Sequence, residues 1–271
     1  MKTGQLHTLK VLCIGVLGVF VAMVLIIVAA DIQYLWLKRK GISDVIALLS
    51  DQQVARALSL SLKTSIMTLV LVILTSVPAG YALSRYRIPG YYILNSIVDI
   101  PIVLPPVVIG ISLLAFFGFG IGADISAFLD GFNISLSSWI GIVMCQYLIA
   151  VSYCIRTIKS GFDDVGEKYE HVALTLGCTP IKAFFKVSIP LAGNGIIAGS
   201  VMSWARAIGI FGPLMAFVGT SPDVQVMPTS IWLELSTGNI EASIIMALVM
   251  ILLAGMALTI VHWIAPGKDI L

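Results

Sequence analysis

Charge is what this sequence has least of. Among 271 residues, 16 are Lys or Arg and 14 are Asp or Glu, 11% of the chain against 59% hydrophobic. Soluble domains are about a quarter charged. A deficit spread over the whole length, with a mean hydropathy of +1.03, excludes a soluble domain on one anchor and points to a polytopic membrane protein in the lipid bilayer. The net charge of +2 and the lack of a long basic run give no footing for a nucleic-acid partner. Cysteine is sparse too, at 13, 145, 154 and 178. Cys145 and Cys154 fall on one expected helix about 13 Å apart in rise, beyond disulfide reach. His7, His171 and His262 are scattered, so no Cys/His spacing suggests a metal site. No G-x-x-x-x-G-K-[ST] phosphate loop occurs.

What is present is long apolar runs. A membrane-crossing helix needs about 20 such residues, and six stretches qualify, near 11–30, 64–84, 93–118, 136–155, 191–217 and 242–265. The first follows Lys2 and Lys10 and ends in Val28-Ala29-Ala30, yet it exceeds the roughly 7 to 15 residues of a signal-peptide core and reads as a retained span. The linkers 119–135 and 218–241 contain no Lys or Arg, whereas 85–92 carries Arg85 and Arg87, and 156–190 carries Arg156, Lys159, Lys168, Lys182 and Lys186. Basic linkers stay in the cytoplasm, so the latter pair and both termini are placed inside. The linker 31–63 disagrees, with Lys38, Arg39, Lys40, Arg56 and Lys63. Its second half, DVIALLSDQQVARALSLSL, reads as an amphipathic helix along the outer surface. The fold class expected is all-α, six transmembrane helices in a single domain over 1–271.

The segment EHVALTLGCTPIKAFFKVSIPLAG (170–193) mixes charge with apolar periodicity between two greasy runs. Asp164-Val-Gly-Glu167 has capping-box spacing with Asp in place of Ser or Thr. Tyr169, Val172 and Leu176 then fall on one helical face. Gly177 suits a left-handed helix terminus, Thr179 a cap with Pro180 at the first helical position, and Pro190 a stop before the fifth span. Physics alone leaves open an interfacial hairpin packed on lipid headgroups.

Here the residues resemble the signature loop of ABC importer permeases: Glu-Ala-Ala, three residues, Gly, then Ile-x-Leu-Pro. This chain reads His171-Val172-Ala173, three residues, Gly177, then Val187-Ser188-Ile189-Pro190, with Glu170 one place before the motif's Glu position. The stretch DIPIVLPPVVIGISLL (99–114) is similar to the third-span motif of the molybdate, tungstate and sulfate permeases. WARAIGIFGPLMAFVG (204–219) resembles their fifth-span Trp-Ala-Arg-Ala-x-Gly, with Ile210 where Glu commonly follows. The resemblance covers roughly residues 55–265. It implies a permease subunit without enzymatic activity of its own, whose loop between the fourth and fifth spans docks on cytoplasmic ATPase subunits. ATP and Mg would be bound by those partners, with no cofactor on this chain. It also implies an extracytoplasmic substrate-binding protein and a second permease chain as homodimer partner. The docking candidates are Asp164, Glu167, Glu170, His171, Ala173, Gly177, Thr179 and Pro190.

Gly195, Gly199 and Ser203 recur every four residues on the fifth span, a small-residue stripe for close helix approach and, on a helix lining the path, a sliding surface between two halves of a dimer. Arg206 in the same span is a charge that must face the interior or water. Either it bonds carbonyls freed by prolines or it is a cationic point on an oxyanion path. Asp99 lies near the end of the third span, and a pair with Arg206 would need bent helices. Pathway candidates are Pro105, Pro106, Gly199, Ser203 and Arg206. Segment 227–243 reads as a short outer helix, facing either a binding protein or lipid. An importer of ferric iron, thiamine or a polyamine fits the same motifs. A membrane-embedded enzyme would need clustered acid, base or metal residues at one depth, and only Asp99 and Arg206 lie well inside the spans.

Overall fold

In lipid the usual rule of patterning inverts: apolar faces point outward, and the small polar residues that let helices touch point inward. The computed structural model describes residues 2–86, 89–132 and 135–264, and every regular element among them is helical. In chain order they are α1 (Lys2–Leu37), α2 (Ile42–Ser50), α3 (Gln52–Arg85), α4 (Tyr91–Val103), α5 (Pro106–Gly118), α6 (Ile121–Asp130) and α7 (Trp139–Val165). There follow α8 (Lys168–Thr175), α9 (Pro180–Ala183), a π-helical turn (Phe184–Ser188), α10 (Ile189–Leu191), α11 (Gly193–Ile208), α12 (Gly212–Phe217), α13 (Met227–Ser236) and α14 (Ile240–Ile264).

The centre is α3, α7 and α11. On α3, Ser61, Thr64, Ser65, Thr68 and Ser76 are buried while Ile66, Met67, Val70 and Leu74 face out. The buried hydroxyls need partners and find them locally: Ser61 donates to the Ala57 carbonyl and Thr64 to that of Leu60, both at 2.8 Å. Thr68 donates to Gln146 of α7 at 2.9 Å. On α11 the small residues meet α7. A Cβ on Gly195 would stand 2.6 Å from the Cα of Gly161, and Ser203 donates to the Ala150 carbonyl at 3.2 Å. The stripe is therefore spent on contact within one chain. Gly199 and Ser203 are closed against α7, and the expected sliding surface between two copies is not on that face.

Four helices are long and apolar enough to cross a bilayer, α1, α3, α7 and α14; two bent pairs raise the number to six if each counts as one span. The expected third span is one of them. Pro101 lies inside α4, and Leu104, Pro105 and Pro106 break the chain so that α4 and α5 meet at 109°. The second pair joins 180–191 to α11 at 71°. The fifth span does not continue to 217, because the chain leaves the helix after Ile208 and restarts at Gly212. α12 then packs on α5, where a Cβ on Gly110 would lie 2.6 Å from Pro213.

Other boundaries move as well. Asp51 separates α2 from α3, its carboxylate accepting from the Gln53 and Val54 amides at 2.8 and 3.3 Å. The second half of the expected surface helix 44–62 is thus the beginning of a 34-residue helix, about 51 Å long. α7 runs to Val165, not 155, which puts Arg156 and Lys159 on the helix and starts the loop at Gly166. α1 is apolar on all sides, with Leu35 its one buried residue among those described. Such a helix reads as a membrane span. α14 ends at Ile264; residue 265 of the expected sixth span lies outside the described residues.

Candidate functional site

The loop between α7 and α11 hangs from one buried ion pair. Arg85, at the last turn of α3, donates from Nε to Glu170 at 2.8 Å, and from Nη2 to the carbonyls of Phe162 and Gly166 at 3.0 and 3.1 Å. Tyr81 donates to the other carboxylate oxygen of Glu170 at 2.8 Å. The side chains of the pair are 6% and 10% exposed. Beneath it the Tyr81 ring meets Phe162 and Phe184 edge-on at 5.3 and 4.6 Å. Glu170 thus ties α8 to α3, whose Arg85 and Tyr81 in turn meet α7 and the π turn, so Glu170 is not free for a partner's groups. His171, next to it, is exposed.

α8 is inside out. It buries Glu170 and Ala173 and shows Tyr169, Val172 and Leu176 to the exterior, Leu176 at 80% exposure. Beyond it Ile181 and Phe185 are exposed as well. Helix termination is local: the Gly177 amide donates to Leu174 and that of Cys178 to Ala173, both at 3.0 Å, with Gly177 at φ 83. This is the double-bonded glycine terminus of a Schellman motif. Thr179 Oγ1 accepts from the Lys182 amide at 3.4 Å.

The capping box at 164–167 is not formed. Asp164 belongs to the last turn of α7, Gly166 ends that helix at φ 68, and Glu167 precedes α8 without a side-chain cap bond. Asp164 instead lines a cleft of about 400 Å³ between α7 and the start of α11, with Ser160, Gly161 and Asn194. Nor does Pro190 stop the helix. It sits within α10, and the chain breaks only at Ala192. Proline lacks an N–H and its ring clashes with the carbonyl four residues back. The π turn just before it, with Ile189 N–H bonded to Phe184, widens the spiral and relieves that clash.

The second polar cluster lies along one side of α7. Arg206, exposed at the end of α11, donates to the Tyr153 hydroxyl at 2.7 Å and lies 4.7 Å from its ring centroid. It bonds a phenol and not carbonyls freed by proline, and among the described residues it has no carboxylate partner. Asp99 pairs with Arg156 of α7, which donates to both of its oxygens and to the side chain and carbonyl of Asn95, the latter two at 2.8 Å. Pro105 and Pro106 are exposed at the α4–α5 corner. The groups missed by sequence reasoning are Arg85, Asn95, Tyr153 and Arg156. For Arg156 a signal existed: Ile155, Ile158 and Phe162 keep the helical apolar period past 155, and all are buried. No cluster of three or more His, Cys, Asp or Glu that could hold a metal occurs among the described residues.

Comparison with known proteins decides the family. Residues 73–269 match the model of the binding-protein-dependent transport system inner membrane component. The chain belongs to that family. This importer permease is 31% identical over 243 residues to the molybdate/tungstate transport system permease protein WtpB of Thermococcus kodakarensis, covering 89% of this chain and 92% of that protein. It is 33% identical over 217 residues to the molybdenum transport system permease protein ModB of Escherichia coli K12, covering 78% and 93%. The sulfate transport system permease protein CysT of Salmonella typhimurium shares 32% over about half of each chain, 52% and 50%. Among solved structures, a chain of a bacterial alginate ABC transporter, in complex with an alginate pentasaccharide-bound periplasmic protein, shares the fold at TM-score 0.66 and 16% identity, covering 87% and 85%. The permease is thus a multi-pass membrane subunit of an ABC importer.

Proposed function

We propose that this permease carries a tetrahedral oxyanion, of the kind of molybdate, tungstate or sulfate, as one of two identical membrane subunits in an importer driven by separate ATPases. The observation that carries the substrate class is Arg206, a guanidinium on a membrane helix with no carboxylate beside it among the described residues. A charge there is costly unless it serves a polar path, and an uncompensated cation favours anions and repels the ferric, thiamine or polyamine alternatives. The names of the relatives point the same way. ATP and Mg belong to the ATPase subunits, and an extracytoplasmic binding protein delivers the substrate.

The ATPase docks on α8 and the turn after it. An apolar strip of Tyr169, Val172 and Leu176 turned away from its own protein leaves a surface for a partner to cover, and the Arg85–Glu170 pair holds that strip at a fixed angle to α3 and α7. His171 stands on the exposed side as its polar neighbour. The 166–192 loop and both termini then lie in the cytoplasm, and 119–135 and 218–241 outside.

The test is reconstitution with the ATPase and the binding protein. Molybdate, tungstate or sulfate should stimulate ATP hydrolysis, and Arg206→Ala should reduce transport more than assembly. Stimulation by a cation alone would sink the oxyanion reading. For orientation, a membrane-impermeant thiol reagent should label Asp130→Cys in intact cells and Cys178 only after permeabilisation. Labelling of Cys178 in intact cells would remove the docking argument.

A further inference from the structure

α4 is loosely held. None of its residues is buried, and it meets α5 through the 109° corner. Its main polar hold is Arg156, which grips Asp99 and Asn95 from α7, with Lys159 of α7 also meeting Tyr91 at the start of α4. The Arg156 and Asp99 side chains remain 26% and 41% exposed, within reach of water and small ions. Tyr153, the residue that carries Arg206, precedes Arg156 by three positions on α7. Residues three apart are neighbours on a helix surface, about 4.5 Å apart in rise. Two guanidiniums therefore share one side of α7, one unpaired by any described carboxylate and one neutralised.

From this juxtaposition we propose that Arg156 is a second anion station, covered by Asp99 in this conformation and uncovered when α4 moves away from α7. The inference rests on the oxyanion reading above. A guanidinium grips a carboxylate and a tetrahedral oxyanion with the same fork of donors, so Asp99 and the transported anion compete for one site. With α4 docked, an anion at Arg206 finds the neighbouring Arg156 already neutralised by Asp99. With α4 displaced, Arg156 is released and the negative charge of Asp99 leaves with its helix. When α4 returns, its carboxylate displaces the anion, so the station empties as part of the same movement that closes it.

The experiment uses the permease with its ATPase subunits in detergent, without binding protein, and radiolabelled molybdate as probe. Asp99→Asn leaves Arg156 charged and still bonded to Asn95. Its complex should retain molybdate at least about tenfold more tightly than wild type, in a salt-sensitive manner. The double variant Asp99→Asn/Arg156→Gln restores a neutral hydrogen-bonded contact between the helices. It should assemble as wild type, show no gain in molybdate retention, and transport at least about tenfold more slowly. A latch with no anion-binding role predicts the reverse, so recovered transport in the double variant overturns the proposal. Wild-type molybdate retention by an assembled Asp99→Asn complex also overturns it, and that arm decides should the double variant fail to assemble. Transport of a cation by the wild-type complex would instead sink the substrate reading, a separate result.

Discussion

Among the described residues two arginine–carboxylate pairs join the helices of this permease, and they differ in kind. Arg85–Glu170 is sealed, at 6% and 10% exposure, with both other nitrogens of the guanidinium bonded, to Ser84, Phe162 and Gly166. Arg156–Asp99 is open, at 26% and 41%, and joins a helix with no buried residue to the core. A buried pair is strongly destabilised by the loss of one partner, whereas a solvated pair gives up little when it separates. The first is suited to keep a surface at a fixed angle, the second to part and re-form. Rigidity and mobility are assigned here by burial, with the same two chemical groups.

The contrast is broken most directly at the sealed pair. Glu170→Ala strands a buried guanidinium at a cost of about 3–5 kcal/mol, and the α8 segment should detach. Co-purification of the ATPase should fall to background while the spans still insert, and Glu170→Gln, which keeps an acceptor, should be milder. Next comes the contact between α7 and α11. Gly195→Val drives a side chain into Gly161, 2.6 Å from the added Cβ, and overpacking costs about 1–3 kcal/mol. A lowered thermal midpoint of the detergent-solubilised permease checks it. Gly177→Val is smaller. Nothing lies within 4 Å of its Cβ position, so the effect is backbone strain at φ 83 alone, about 1–2 kcal/mol. We expect normal insertion with weak ATPase assembly or hydrolysis uncoupled from transport, and a milder defect for Gly177→Asn; wild-type coupling in Gly177→Val would mean the corner transmits nothing. Tyr153→Phe is the gentlest. It removes one hydrogen bond to Arg206, about 0.5–1.5 kcal/mol, and keeps the ring, so transport should slow a few-fold with assembly unchanged.

Much of this was legible in the residues. Apolar runs located the four long helices, and Gly177 with Thr179 marked the corner of the loop, because backbone conformation at those positions is set by a few neighbours. Motif spacing carried the family. What escaped was set by contacts distant in sequence. Arg85 and Arg156 counted only as cytoplasmic charges, since a charge census records where a basic residue sits and not which carboxylate it faces. The small-residue stripe announced a close approach without naming the partner, and α7 took it. The capping box failed because α7 kept its apolar period through Phe162 and absorbed Asp164. The size of the bend in the third span, 109°, was not legible because hydropathy adds α4 and α5 together, whatever angle the prolines impose between them.

The π turn at Phe184–Ser188 has a consequence of phase. Its Phe184–Ile189 bond spans five residues where an α-helix spans four, so it stores one residue more than the α register would need. One residue corresponds to about 100° of rotation around a helix axis. Pro190, by making the wide turn favourable, therefore sets the azimuth at which the α8–α9 corner stands relative to α11. A push on the loop reaches the bundle already turned, and Pro190→Ala, which lets the segment relax to ordinary α geometry, would redirect that push without changing its strength.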